Sequence, residues 1–182
     1  MNKETTLCFA GHRKIDGKYP PSPQWIKILN KTEEIVQLFA FHGYKTFISG
    51  GALGFDQIGA AAVVRVKNRF KQLGIELVMA LPFQGFESKW PKESQAKFLS
   101  FCNAQADQII YVSSPPYAPW KMQARNKWMV DRSKAVVALW NRIKSGGTFN
   151  CIFYALLHKK EFIYAIDPMA LVLTTIQRKE IE

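Results

Sequence analysis

Short, nearly continuous apolar runs recur along the chain at Leu7–Ala10, Thr46–Ser49, Ile75–Leu81, Gln108–Val112, Ala135–Trp140 and Phe162–Ile166. A strand covered on both faces reads this way, because neither face meets water. Between the runs lie stretches with helical spacing. Trp25, Ile28, Leu29, Thr32, Ile35, Val36 and Phe39 mark the first, and Ile58, Ala61, Ala62 and Arg65 begin the second. Phe98, Phe101 and Cys102 mark a third that starts near Pro91, Ala124, Trp128 and Met129 a fourth, and Ile152, Ala155 and Leu156 a fifth. Parallel strands are joined through such crossovers, which are right-handed. The pattern predicts an α/β fold of one domain over residues 1–182. The expected architecture is a three-layer, Rossmann-like open sheet, mainly parallel, with helices on both faces and strand order 3-2-1-4-5-6. The tail after Pro168 is expected to add a final helix.

No apolar run reaches the roughly 18 residues that span a bilayer, so a membrane role is not expected. The run from Leu7 to Ala10 is too brief for a secretory segment, which predicts a cytoplasmic chain. Cys8, Cys102 and Cys151 each sit in an apolar segment, as buried thiols do, and no Cys/His pair has zinc-ligand spacing. No metal site is expected. A homo-oligomer is compatible with the sequence. The net charge of +11 attracts anionic partners, nucleic acid among them. Yet the densest basic cluster, Arg65, Lys67, Arg69 and Lys71, falls at the polar end of a helix and reads first as a solvated face.

The strongest local signal is Ser49-Gly50-Gly51-Ala52-Leu53-Gly54-Phe55-Asp56, between the second strand and the second helix. Its glycines let backbone approach a ligand, and amides at a helix start favour anionic oxygens. Asp56 is placed to cap the helix, hold a ribose hydroxyl or pair with an arginine. It is neither a Walker A loop, lacking the Gly-Lys-Ser/Thr ending, nor a dinucleotide fingerprint after strand one. Gly11-His12-Arg13 follows the first strand, where Arg13 suits a phosphate or carboxylate and His12 can donate a hydrogen bond or move a proton. Gly146, Gly147 and Thr148 open the fifth helix with the same logic. Arg125 and Asn126 stand on the fourth helix, Arg125 sharing a face with Met129. Pro82 follows the third strand. In the expected order, the turns after strands one, two and five and the helix after strand four border one crevice.

Taken together, Gly11-His12-Arg13, the Ser-Gly-Gly-Ala-x-Gly-x-Asp turn, Pro82-Phe83, Arg125-Asn126-x-x-Met129-Val130-Asp131 and the Gly-Gly-Thr turn resemble the YpsA-like branch of the SLOG superfamily, over nearly the whole chain. DprA and the LOG phosphoribohydrolases belong to the same superfamily. The resemblance implies a Rossmann-like fold and a pocket for a nucleotide or its derivative, with ADP-ribose, NAD or a nucleoside phosphate as candidate ligands. LOG enzymes carry a Pro-Gly-Gly-x-Gly-Thr-x-x-Glu motif. The corresponding stretch here, Ser145 to Ile152, has no glutamate.

Three functions follow. The first is a binding or sensing protein for a nucleotide-derived ligand held by Gly11, His12, Arg13, Ser49, Gly50, Gly51, Ala52, Gly54, Asp56, Pro82, Arg125, Asn126, Gly146, Gly147 and Thr148. The second is a hydrolase of an N-glycosidic or phosphoester bond, for which His12, Asp56 and Asp131 are the acid–base candidates. The third is DprA-like binding of single-stranded nucleic acid, with Trp90, Trp120 and Trp128 as stacking candidates.

Overall fold

The structure is a computed structural model and describes residues 1–180. Its strands are β1 (Thr6–Gly11), β2 (Thr46–Ser49), β3 (Glu76–Leu81), β4 (Gln108–Tyr111), β5 (Ala135–Leu139), β6 (Phe162–Ile166) and β7 (Leu173–Thr175). The α-helices are α1 (Pro23–Phe41), α2 (Phe55–Arg69), α3 (Lys92–Gln105), α4 (Trp120–Asp131) and α5 (Gly146–Leu157). All strands form one sheet in the order β4-β3-β2-β1-β5-β6-β7, parallel except for β7.

The α/β, mainly parallel, two-faced sheet is the expected class, but the strand order needs correction. The fourth strand does not sit beside β1. It extends the sheet beyond β3, and β5 takes the place beside β1. Right-handed crossovers explain the result. Helices α1, α2 and α3 pack on one face, so each crossover steps the chain outward in the same direction. Helix α4 then carries the chain back over the opposite face to β5, and α5 continues there. β4 is therefore an edge strand, with Ile109 and Tyr111 exposed. The reversal point lies between β1 and β5, where an open α/β sheet leaves a crevice at the carboxyl ends of its strands.

The tail also departs from expectation. After β6, the Asp167 side chain accepts hydrogen bonds from the Met169 and Ala170 amides. That turn returns the chain, and the β-branched residues of Leu173–Thr175 pair antiparallel to β6 instead of forming a helix.

Alternation along β1 divides the core. Leu7 and Phe9 face α1 and α2, while Cys8 and Ala10 face α4 and α5. Phe9, Phe47 and Trp25 are almost fully buried, each contributing about 1.5–3 kcal/mol relative to exposure. Trp25 also fixes the loop before α1: its indole N–H donates to the Lys18 carbonyl at 3.1 Å. Ser22 caps α1 ahead of Pro23, its hydroxyl accepting from the Trp25 amide at 3.4 Å. All three cysteines are buried, and burial pushes the Cys8 thiol up to about 12. Among the described residues, no helix is long and apolar enough to cross a membrane.

Candidate functional site

A cleft of about 260 Å³ opens at the carboxyl ends of β1 and β5. It is lined by Gly11 at the end of β1 with His12 and Arg13 after it, Ala52 in the turn before α2 and Asp56 in its first turn, Arg125 and Asn126 on α4, and Gly147 and Thr148 at the start of α5. Segments spread over most of the sequence thus meet at one rim. Ala10 and Met122 complete the lining and were not anticipated. Met122 looks in sequence like an ordinary apolar helix position, and Ala10 like the interior of a strand.

The floor of the cleft is an ion pair. Arg125 Nη1 donates to Asp56 Oδ2 at 3.0 Å, and both side chains are nearly inaccessible to solvent. The same carboxylate oxygen accepts from the Ala52 amide at 3.3 Å. Asp56 belongs to the helical layer on one face and Arg125 to the layer on the other, so the pair ties the two layers across the sheet rim. Burial pushes the Asp56 carboxyl above its ordinary value, while the Arg125 guanidinium, the Ala52 amide and the nearby Arg13 charge pull the other way. The Arg125 Nε is buried with no hydrogen-bond partner.

The glycine turn is shaped for this pair. Ser49 does not line the cleft. Its hydroxyl donates to the Asp56 carbonyl at 2.7 Å and accepts from the Gly51 amide at 3.2 Å, which locks the turn. Gly54 has φ +95°, and a Cβ there would stand 2.5 Å from the His12 carbonyl oxygen and from the Arg13 Cα. The close approach lets the Phe55 amide donate to the His12 carbonyl at 3.0 Å, joining the turn to the segment after β1. Neither α2 nor α5 has a side-chain cap at its N-terminus. Their first-turn amides and positive dipole ends favour an anion in the cleft.

His12 is half-buried, and its Nε2 accepts from the Asn141 amide at 3.1 Å. That bond requires the neutral ring with the proton on Nδ1. Burial lowers its pKa below the ordinary value, in keeping with the neutral form. Asn141 lies in the loop between β5 and α5, so His12 braces the approach to Gly147 and Thr148. Arg13 is exposed at the mouth and makes no ion pair or side-chain hydrogen bond among the described residues.

Other candidates lie apart from the cleft. Gly146 starts α5 but is not part of the lining. Pro82 is buried after β3, its carbonyl accepting from the Ser113 amide at 2.9 Å. Asp131 stands at the far end of α4, where its carboxylate accepts from the Tyr154 hydroxyl at 3.0 Å. About 1.7 helical turns, roughly 9 Å along the axis, separate it from Arg125, and it does not line the cleft. The basic cluster on α2 lies at the opposite rim. There Arg65 and Arg69 pair with Glu33, and Lys67 pairs with Asp107. Trp90 packs against Phe86 and Phe98, and Trp128 lies beneath Arg132, whereas Trp120 is 62% exposed.

Comparison with known proteins places this architecture. Over 91% of the chain, it superposes on DNA processing protein A from Helicobacter pylori, described for its single-stranded DNA binding mode, with a TM-score of 0.61 and 19% identity. DNA processing protein A (DprA) from Streptococcus pneumoniae gives a TM-score of 0.59 at 18% identity. The chain spans 66% of the first of these chains and 51% of the second. In sequence, the SPbeta prophage-derived protein YoqJ of Bacillus subtilis (strain 168) is 32% identical over 146 residues, 74% of this chain and 83% of that protein. A UPF0398 protein of Shouchella clausii (strain KSM-K16) is 28% identical over 153 residues, 80% of either chain. The model of the YpsA (YspA SLOG) family matches residues 7–170, from β1 past the end of β6. With every cleft-lining residue inside that match, the chain belongs to the YpsA family of SLOG proteins.

Proposed function

We propose that the protein binds a nucleotide or nucleotide-derived ligand, its phosphate seated in the cleft between β1 and β5. One observation carries the reading: two uncapped helix N-termini and Arg13 converge on a space whose buried carboxylate, Asp56, is already matched by Arg125. A site so arranged has positive potential left over for an anion. Binding suits it better than bond cleavage. Asp56 Oδ2 is engaged by Arg125 and Ala52, and His12 Nε2 is held by the Asn141 amide, so each candidate already has one polar atom committed to the fold. ADP-ribose, NAD and nucleoside monophosphates are the ligands to screen. A ligand at about a hundred times its dissociation constant stabilises the fold by roughly 2.7 kcal/mol, readily seen as a thermal shift. Absence of any shift at millimolar concentration overturns the proposal.

A second reading is single-stranded nucleic acid on the same rim. It is supported by the fold shared with DNA processing protein A, by the net charge of +11, and by exposed Tyr117 and Trp120 on either side of Pro119. Oligonucleotide affinity that falls steeply with salt is its signature.

A further inference from the structure

The cleft of about 260 Å³ falls below the roughly 300–1,000 Å³ usual for sites that enclose a whole small ligand. A second groove, of about 490 Å³, lies on the other side of the same turn. Ala52 and Asp56 line the first space, while Leu53, Gly54 and Gln57 line the second. Between them the Gly54 backbone packs against the backbone of His12 and Arg13. Arg13 lines the first space and Gly54 the second, so the two stand back to back at this contact.

The two spaces differ in chemistry. The second is walled by flat or apolar surfaces: the Tyr19 ring, Pro21, Leu53 and Pro91. Lys97 at its edge is paired with Glu93 at 2.6 Å, so it brings little free charge. Gln57 donates its amide nitrogen to the Gly51 carbonyl, which leaves its amide oxygen as an acceptor. Flat faces with a neutral hydrogen-bonding edge suit a heteroaromatic base, because every base offers a π-face for stacking. Tyr19 is also held in place. The chain before it is closed by the Ile15–Lys18 bridge and anchored by the Trp25 indole. The Lys14 ammonium lies 4.6 Å from the centre of its ring, beside the route a linking phosphate would take.

We infer that the groove between Tyr19, Leu53 and Pro91 is a base-binding subsite, so that the ligand carries two nucleoside units linked through phosphate. The inference rests on the nucleotide reading of the first cleft and specifies its ligand class.

Isothermal titration with three probes tests it: AMP, the pyrophosphate-linked dinucleotide NAD, and the phosphodiester-linked dinucleotide pApA. At least one dinucleotide should bind about tenfold more tightly than AMP, the equivalent of one modest stacking contact. Which of the two does so identifies a dinucleotide cofactor or a nucleic-acid strand as the source. Tyr19→Ala and, independently, Ser94→Trp, which fills the groove, should erase that gain and leave AMP affinity intact. Tyr19→Phe should keep it. AMP binding with no gain from either dinucleotide, or a gain that survives both Tyr19→Ala and Ser94→Trp, overturns the subsite alone. Failure of all three probes overturns the nucleotide reading itself, and the subsite with it.

Discussion

Gly50 leaves the space that Arg125 fills: a Cβ on residue 50 would stand 1.3 Å from Arg125 Nη1 and 2.7 Å from Asp56 Oδ2. The φ of Gly50 is not in the left-handed region, so conformation alone does not demand glycine there. The guanidinium does. Gly50→Ala is therefore expected to displace Arg125 and leave Asp56 buried with only the Ala52 amide. The cost should be roughly 3 kcal/mol or more, from overpacking and a broken buried pair together. Urea denaturation measures it. A loss below about 1 kcal/mol would mean that the pair re-forms around the methyl group.

The Asp56–Arg125 pair also predicts a pH signature. Burial holds the Asp56 carboxyl above the 3.8 of an unfolded chain, against the pull of Arg125. Above 3.8 the folded state then keeps a proton that the unfolded state has released, so stability falls as pH rises toward the folded pKa. Arg125→Met removes the strongest opposing charge and moves the folded pKa higher. Its stability should fall more steeply than the wild type's on going from about pH 5 to pH 7. Adding Asp56→Asn should flatten that dependence. Urea midpoints across this range decide the matter, and parallel curves for Arg125→Met and the wild type would exclude the assignment.

Much of this was legible before the fold. Apolar runs located β1 to β6, and glycine turns marked three of the four walls of the cleft. What sequence spacing does not encode is which side of β1 receives the next strand. The order with β4 beside β1 and the order with β4 at the edge have the same local pattern, and only the placement of α3 on the α1–α2 face separates them. The cleft is common to both orders, because in each α4 lies on the face opposite α1 and α2 and leads into β5. Arg125 reads equally well as an exposed helical arginine. Its partner is 69 residues away, and no local pattern announces a contact of that range. One clue was present: Lys121, Arg125 and Met129 lie on one helical face, and all three are buried. Asn141 gave no signal, since its contact with His12 spans 129 residues of sequence.

His12 should titrate below the ordinary 6.5 because burial disfavours its charged form, an effect that outweighs the opposing hydrogen bond with the Asn141 side chain. The unfolded chain takes up the proton first as pH falls. Stability supplied by neutral His12 is thus complete above 6.5 and is lost as pH drops from there toward the folded pKa. His12→Gln, which cannot titrate, should remove this component. Its denaturation midpoint should change less than the wild type's between about pH 7 and pH 5. The imidazole resonances of His12 give the folded pKa directly, and a value above 6.5 would contradict the assigned tautomer.

Arg13 separates binding from folding. Its side chain is exposed and has no ion pair or hydrogen bond among the described residues, so Arg13→Ala should shift the melting temperature little. In the cleft, however, it is the accessible cation, because Arg125 is committed to Asp56. A charge-assisted hydrogen bond to phosphate contributes about 1.5–3 kcal/mol, which corresponds to roughly a ten- to hundredfold loss of affinity for a phosphorylated ligand. Arg13→Lys should recover part of that loss, since a lysine supplies the charge without the two-pronged geometry. Adenosine, which has no phosphate, should bind wild type and Arg13→Ala alike. Equal affinity of both proteins for AMP would move the phosphate away from the Arg13 side of the cleft and leave the helix N-termini as its only support.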